Sequence, residues 1–353
     1  MLLIRPIALD DLPALEALCH RTGYGLTSLP RDARLLGRRI RSSIDAFNRL
    51  ADNNPPRGEN YLFVLVRTET GEVIGTSGIV SKVGGFEPFY GYRIESHLHA
   101  SPQLKVRKQI ASLHLTEQHD GPCEIGSLFL SPDHRGGGAG RLLSLCRFLF
   151  IADHPDYFDP MVIAEMRGVI DETGRSPFWD AIGHHFFDID FPTADYLSVV
   201  NKKFIADLMP DHPIYIPLLP YSAQAVIGKV QPDTEPALAM LEDEGFVRSG
   251  VIDIFDAGPV VQCRLDRIRS VRQSTVATVA ETGAVDPANP PVVIATRRES
   301  FRATIAGVDI VPSGVRLEAA VADSLGVATG DSIRFVSLKP VPENQAHDAP
   351  GSL

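Results

Sequence analysis

The spacing of apolar residues changes several times along the chain, and each change marks an element. Residues 2–7 form an apolar run. Leu12, Leu15, Leu18 and Cys19 then recur at three- and four-residue steps, so a strand passes into a helix with Asp10 placed to cap it. A second, Arg-rich helix is expected over residues 31–51, beyond a loop at 22–30. Residues 61–66 and 73–80 read as two strands joined by Thr68-Glu69-Thr70-Gly71-Glu72. From Tyr92 to Ala100 the period is two. Arg93, Glu95, His97 and His99 share one face of a strand, open either to solvent or to a substrate.

The most informative stretch is 123–150, CEIGSLFLSPDHRGGGAGRLLSLCRFLF. Ile125 to Leu130 reads as a buried strand and Ser131 to His134 as a turn. Arg135, Gly136, Gly137, Gly138 and Gly140 follow, and then Leu142, Leu143, Cys146, Leu149 and Phe150 take up the helical period. Strand, glycine turn and helix start make an anion site in outline. The first N–H groups of a helix lack internal partners, the helix dipole is positive there, and glycines admit a ligand close to the backbone. A Walker A loop would end in Gly-Lys-Ser/Thr, but Gly140 is followed by Arg141-Leu142. The dinucleotide fingerprint fails as well, because its sixth position falls on Arg141 or Leu143. Arg-x-x-Gly-x-Gly, met by Arg135, Gly138 and Gly140, resembles the pyrophosphate loop of the GNAT acyl-CoA N-acyltransferases.

Downstream, residues 161–168 read as a strand that carries Glu165 and Arg167 on one face. An amphipathic helix is expected over 177–187, with further helices at 204–209, 223–229 and 237–244 and a strand at 251–255. Beyond Gly258 the texture turns to β, with strands near 260–265, 275–280, 292–295, 303–305, 314–317 and 332–336 and one helix at 318–325. The whole predicts an α+β fold, a GNAT-like mixed and mostly antiparallel sheet with helices on both faces and an extra C-terminal β-rich part. The divisions expected are a GNAT-like acyl-CoA-binding core at 1–190, a second α/β segment completing the site at 191–258, the β-rich part at 259–340, and a polar, disordered tail at 341–353.

Composition narrows the partners. The chain has 353 residues, 44% of them hydrophobic, and a net charge of −10, which argues against nucleic acid and anionic membranes. Cys19, Cys123, Cys146 and Cys263 lack metal or disulfide spacing, and Cys146 reads as a core residue. No leader or membrane-spanning run stands out, so a cytoplasmic enzyme without metal or prosthetic group is expected, as a monomer or as a homo- or hetero-oligomer.

Five separated motifs carry a closer resemblance: Gly25-Leu26-Thr27-Ser28-Leu29-Pro30, residues 162–172 (VIAEMRGVIDE), Ser176-Pro177-Phe178-Trp179, residues 204–210 (FIADLMP) and residues 252–256 (IDIFD). In this order they look like the bacterial arginine N-succinyltransferases. The resemblance implies succinyl transfer from succinyl-CoA to the α-amino group of L-arginine, by direct attack in a ternary complex. It implies that Arg135 and the glycine N–H groups hold the pyrophosphate and that Leu128 contacts succinyl-CoA. Glu165 and Arg167 are candidates for the guanidinium and the succinyl carboxylate, and Ser28 for lining the site. The family pattern Gly-Gln-Val-His-Pro, whose His is the proton donor, reads Gly228-Lys229-Val230-Gln231-Pro232 here. An amide does not exchange a proton near neutral pH. His212 is therefore the first substitute candidate, with His184 and His185 behind it. Transfer to another amine such as ornithine, and a non-catalytic CoA-binding subunit, remain open alternatives.

Overall fold

The structure, a computed structural model, describes residues 1–21, 28–50, 55–200, 202–298 and 300–340. The expected tail and half of the Gly25–Pro30 motif, Gly25 to Thr27, therefore lie outside the described residues. Strands β1 (Leu2–Pro6), β2 (Asn60–Arg67), β3 (Val73–Val80), β4 (Phe89–Ser101), β5 (Val106–Gln118), β6 (Cys123–Leu130) and β7 (Met161–Glu165) come first. After them come β8 (Ile214–Tyr215), β9 (Val247–Ile252) and β10 (Pro259–Arg264). The C-terminal part adds β11 (Thr275–Thr282), β12 (Val292–Thr296), β13 (Ala303–Ala306), β14 (Asp309–Val311), β15 (Gly314–Leu317) and β16 (Ser332–Ser337).

All of these join one sheet in the order β14-β15-β11-β16-β12-β13-β1-β2-β3-β6-β7-β10-β9-β4-β5-β8. Among the described residues, only β6/β7 and β11/β15 pair in parallel. The expected division at 258/259 falls between β9 and β10, which are hydrogen-bonded neighbours in the sheet.

Helices cover both faces. Leu62, Val64 and Val66 of β2 pack with α1 (Leu12–Arg21) and α2 (Ala33–Asn48). Phe63 and Leu65, pointing the other way, pack with α3 (Ala139–Asp153). Burial on both sides is why β2 reads as a continuous apolar run rather than an alternation. Phe150 of α3 is the hub of that second layer, with ring centroids 5.3 Å from Phe63, 5.4 Å from Tyr61 and 5.1 Å from Phe301. Cys146 is buried beside it, as expected.

The remaining helices are short: α4 (Pro177–Ala181), α5 (His184–Phe187), α6 (Phe191–Val200), α7 (Lys203–Leu208), α8 (Tyr221–Gln224), α9 (Glu235–Asp243), α10 (Arg269–Gln273) and α11 (Ala319–Leu325). No described helix is long and apolar enough to cross a membrane. Phe178 and Trp179 of α4 anchor a second core with Tyr92, Phe191 and Ile252. The C-terminal strands are tied back to the rest. Ile4 pairs with Ala303, and the buried Arg269 bonds Glu244 (2.5 and 2.9 Å) and the Ser337 carbonyl (3.0 Å).

Several local expectations are corrected. Asp11, not Asp10, holds the first helical turn: it accepts the Ala8 N–H at 2.8 Å and is paired twice by Arg5 at 2.7 Å. The 177–187 helix breaks into α4 and α5. The 223–229 helix is only α8, and the 251–255 strand is β9, which ends at Ile252. The 161–168 strand ends at Glu165 because Asp256 draws the following segment aside, taking the Gly168 N–H at 2.7 Å and the Gly258 N–H at 2.8 Å. A Cβ on either glycine would collide with the facing backbone, so the approach depends on both lacking one.

Candidate active site

The site is built where β6 and β7 part. Parallel pairing holds only at Cys123↔Val162 and Glu124↔Ile163. Beyond that point β6 stays bound to β3 along one edge, as far as Gly75↔Leu130. Its other edge, from Gly126 to Leu130, faces the gap that β7 leaves, so backbone groups there lack a strand partner. The strand also bulges. Ser127 has a φ of 52°, its carbonyl accepts the Thr76 hydroxyl at 2.8 Å, and its Oγ accepts Arg39 Nη2 at 3.0 Å. Leu128, next to this bulge, is partly buried against the core shared with α3.

β6 leads into the glycine turn. Gly136, Gly137 and Gly138 have φ values of 106°, 57° and 83°, the left-handed region that side chains resist. Gly138 caps α3, and an added Cβ there would sit 2.9 Å from Ile305 Cδ1 of β13. Around Gly136, Gly137 and Gly140 the space is open. Arg135 is exposed beside them. The unpaired strand edge therefore runs straight to a helix start able to hold an anion. This is the acyl-CoA N-acyltransferase arrangement that the sequence resembles.

Charged groups gather at the parting. Glu124, Ile163 and Glu165 lie on the same sheet face, opposite to α3. Glu165 is exposed to solvent, yet protein atoms crowd around its carboxyl. That burial, with Glu124, Asp253 and Asp256 nearby, raises its carboxyl well above the usual range, while Lys202 opposes the rise. Burial likewise raises Glu124, against Lys202 and Arg39. Burial lowers the Arg167 guanidinium, against Asp256, Asp195 and Asp233. Arg167 Nη2 and Arg39 Nε are buried without a hydrogen-bond partner among the described residues. Such orphaned donors suit an anionic ligand.

The other expected residues are placed as follows. Arg167 is not on the strand with Glu165; it lies in the irregular segment after β7. Gln231 is held against that segment. Its N–H donates to the Arg167 carbonyl at 2.9 Å, its Oε1 accepts the Ile170 N–H at 3.1 Å, and its Nε2 donates to the Ile170 carbonyl at 3.2 Å. The amide brackets both polar groups of one residue and acts as a clamp. His212 is exposed just before β8, the outermost strand, five places from β7 in the sheet. His184 and His185 are exposed on α5. None of the three histidines is among the groups whose charge acts on Glu124, Glu165 or Arg167. Ser28 is half-buried in the turn before α2.

Sequence reasoning missed Glu124, Arg39, Lys202, Asp253 and Asp256. For Glu124 a signal existed: a lone carboxylate in an otherwise apolar, buried strand is uncommon without a task.

Comparison with known proteins assigns the chain to a family. A family model described as arginine N-succinyltransferase beta subunit matches residues 2–270, and one for its C-terminal domain matches 272–337. Arginine N-succinyltransferase of Enterobacter sp. (strain 638) is 43% identical over 342 residues, spanning 96% of this chain and 98% of the relative. That of Salmonella schwarzengrund is 44% identical over 341 residues, with the same coverage. The solved structure of arginine/ornithine succinyltransferase subunit AI from Pseudomonas aeruginosa superposes with a TM-score of 0.87 at 36% identity, covering 96% of this chain and 99% of that one. The chain belongs to the arginine N-succinyltransferase family.

Proposed function

We propose that the chain transfers the succinyl group of succinyl-CoA to the α-amino group of L-arginine, giving N2-succinyl-L-arginine and free CoA. The observation that carries this reading is the unpaired edge of β6, which runs from the carboxylate cluster at the parting to the glycine turn. The pantetheine amides add to that edge as an extra strand would, near Leu128. Arg135 and the N–H groups at the start of α3, with Gly136, Gly137, Gly138 and Gly140 clearing the way, receive the pyrophosphate. The thioester then lies at the parting.

Arg167, with its orphaned Nη2, pairs with the succinyl carboxylate. Glu165 and Glu124 receive arginine, and one of these carboxylates takes the proton from its α-ammonium. The neutral amine attacks the thioester carbonyl, the C–N bond forms, the C–S bond breaks, and CoA leaves as the thiol with the proton that the attacking nitrogen sheds. No covalent enzyme intermediate is required. Gln231 holds the Arg167 segment in place and carries no proton.

The test is thiol release from succinyl-CoA with arginine, with ornithine, or with no amine, and mass analysis of the product. Arginine-dependent release with N2-succinyl-L-arginine as product is expected. Absence of turnover with arginine in a folded, CoA-binding protein overturns the proposal.

A further inference from the structure

One cluster of ligating side chains lies outside the parting. β4 and β5 pair with Arg93↔His114, Glu95↔Ser112 and His97↔Ile110 in register. Glu95, His97 and His114 therefore stand on one face at neighbouring rungs. Glu95 Oε2 lies 3.5 Å from His114 Nε2 and 3.7 Å from His97 Nε2, and the three ligand atoms all fall within 4.8 Å of one another.

The spacing is informative. A charge-assisted hydrogen bond closes to about 2.7–2.9 Å. A tetrahedral ion with N and O bonds of about 2.0–2.1 Å holds its ligands about 3.4 Å apart. Both imidazoles stand off from one carboxylate oxygen at nearly the second distance. His114 Nε2 is also 2.9 Å from the hydroxyl of buried Ser112, a hydrogen bond that gives way when that nitrogen takes the ion. Arg93 Nη1 approaches the other carboxylate oxygen, Oε1, at 3.9 Å, and leaves Oε2 to the cluster.

We propose that Glu95, His97 and His114 bind a borderline divalent cation of the zinc class, with water completing the fourth position. Two imidazoles and one carboxylate suit such an ion, whereas Mg²⁺ and Ca²⁺ prefer oxygen ligands throughout. β4 is three places from β7 in the sheet. The ion therefore clamps β4 to β5 near the sheet's outer edge and takes no part in acyl transfer.

The test is calorimetric titration of the metal-stripped full chain with ZnCl₂ in a non-coordinating buffer containing excess Mg²⁺. One ion per chain is expected, and Co²⁺ in its place gives the visible absorption of a tetrahedral site. His97→Ala, His114→Ala and Glu95→Gln each weaken Zn²⁺ binding at least tenfold with an unchanged circular dichroism spectrum. His212→Ala, outside the cluster, leaves it unaltered. Removing a repelling cation by Arg93→Ala tightens it. Absence of saturable Zn²⁺ binding, or binding that survives His114→Ala and Glu95→Gln undiminished, overturns the proposal.

Discussion

Truncating Gln231 to alanine separates a positioning role from a proton-transfer role. The side chain makes two hydrogen bonds, at 3.1 and 3.2 Å, to the N–H and C=O of Ile170. At a net contribution of about 1 kcal/mol each, Gln231→Ala lowers stability by about 2 kcal/mol. In domains of 150–250 residues each kcal/mol moves Tm by about 2–4 °C, and a larger cooperative unit lies at the lower end, so the expected fall is about 3–4 °C. The loosened segment carries Arg167, whose carbonyl receives the Gln231 N–H. KM for the substrates should therefore rise severalfold while kcat changes less, and both limbs of the pH–rate profile should persist. Gln231→His is an informative intermediate. The two nitrogens of an imidazole diverge, whereas the oxygen and nitrogen of an amide sit side by side. Histidine keeps one bond to Ile170 at most, for a loss of about 1 kcal/mol. Thermal unfolding followed by steady-state thiol release covers both variants. An unchanged Tm in Gln231→Ala together with the disappearance of one pH limb refutes the clamp and returns position 231 to proton transfer.

Other outcomes follow from the same geometry. Gly138→Val places a branched side chain at a φ of 83° against Ile305, and should weaken CoA binding at least tenfold and cost about 1–2 kcal/mol of stability. Exposed Arg135→Gln should weaken CoA binding without changing Tm, and unaltered CoA affinity in both variants, read by calorimetry, counts against the pyrophosphate assignment. Because burial and neighbouring carboxylates raise Glu165, kcat/KM should climb with pH through a value above the ordinary carboxylate range, and Glu165→Gln should abolish that limb. The same shift bears on stability. Between the unfolded and the raised folded value the folded chain holds a proton that the unfolded chain has released, so Glu165 makes the protein less stable as pH rises through that window. Arginine, a cation, favours the ionised carboxylate, and its thermal shift should grow with pH; a shift that shrinks with pH contradicts this.

Much of the cofactor end was legible in the sequence because it is local. An apolar strand, four glycines in five positions and a helical period follow one another within residues 123–150, and their spacing excludes the rival phosphate loops. The substrate end was less legible because it is assembled from distant segments. Arg39, Glu124, Glu165, Lys202 and Asp256 meet only once β6 and β7 have parted, and no local period announces a parting. The Ser127 bulge was hidden for a related reason: serine carries no mark of a left-handed φ. Gln231 looked like the loss of a chemical group, and only its two bonds to Ile170 show that the position carries a structural load here. The α6 segment escaped because its apolar residues form no single helical stripe, and β14 because it is only three residues long.

The seam between β1 and β13 has a consequence for synthesis. Ile4 leaves the ribosome 299 residues ahead of its partner on one side, Ala303. At about 5–20 residues per second the interval is about 15–60 s. Throughout it β1 can pair with β2 alone, and its other edge is an open template for a neighbouring nascent chain. The arrival of β13 closes that edge. A chain cut short after β12 would keep it open permanently, and should be recovered in aggregates while the full chain stays in solution.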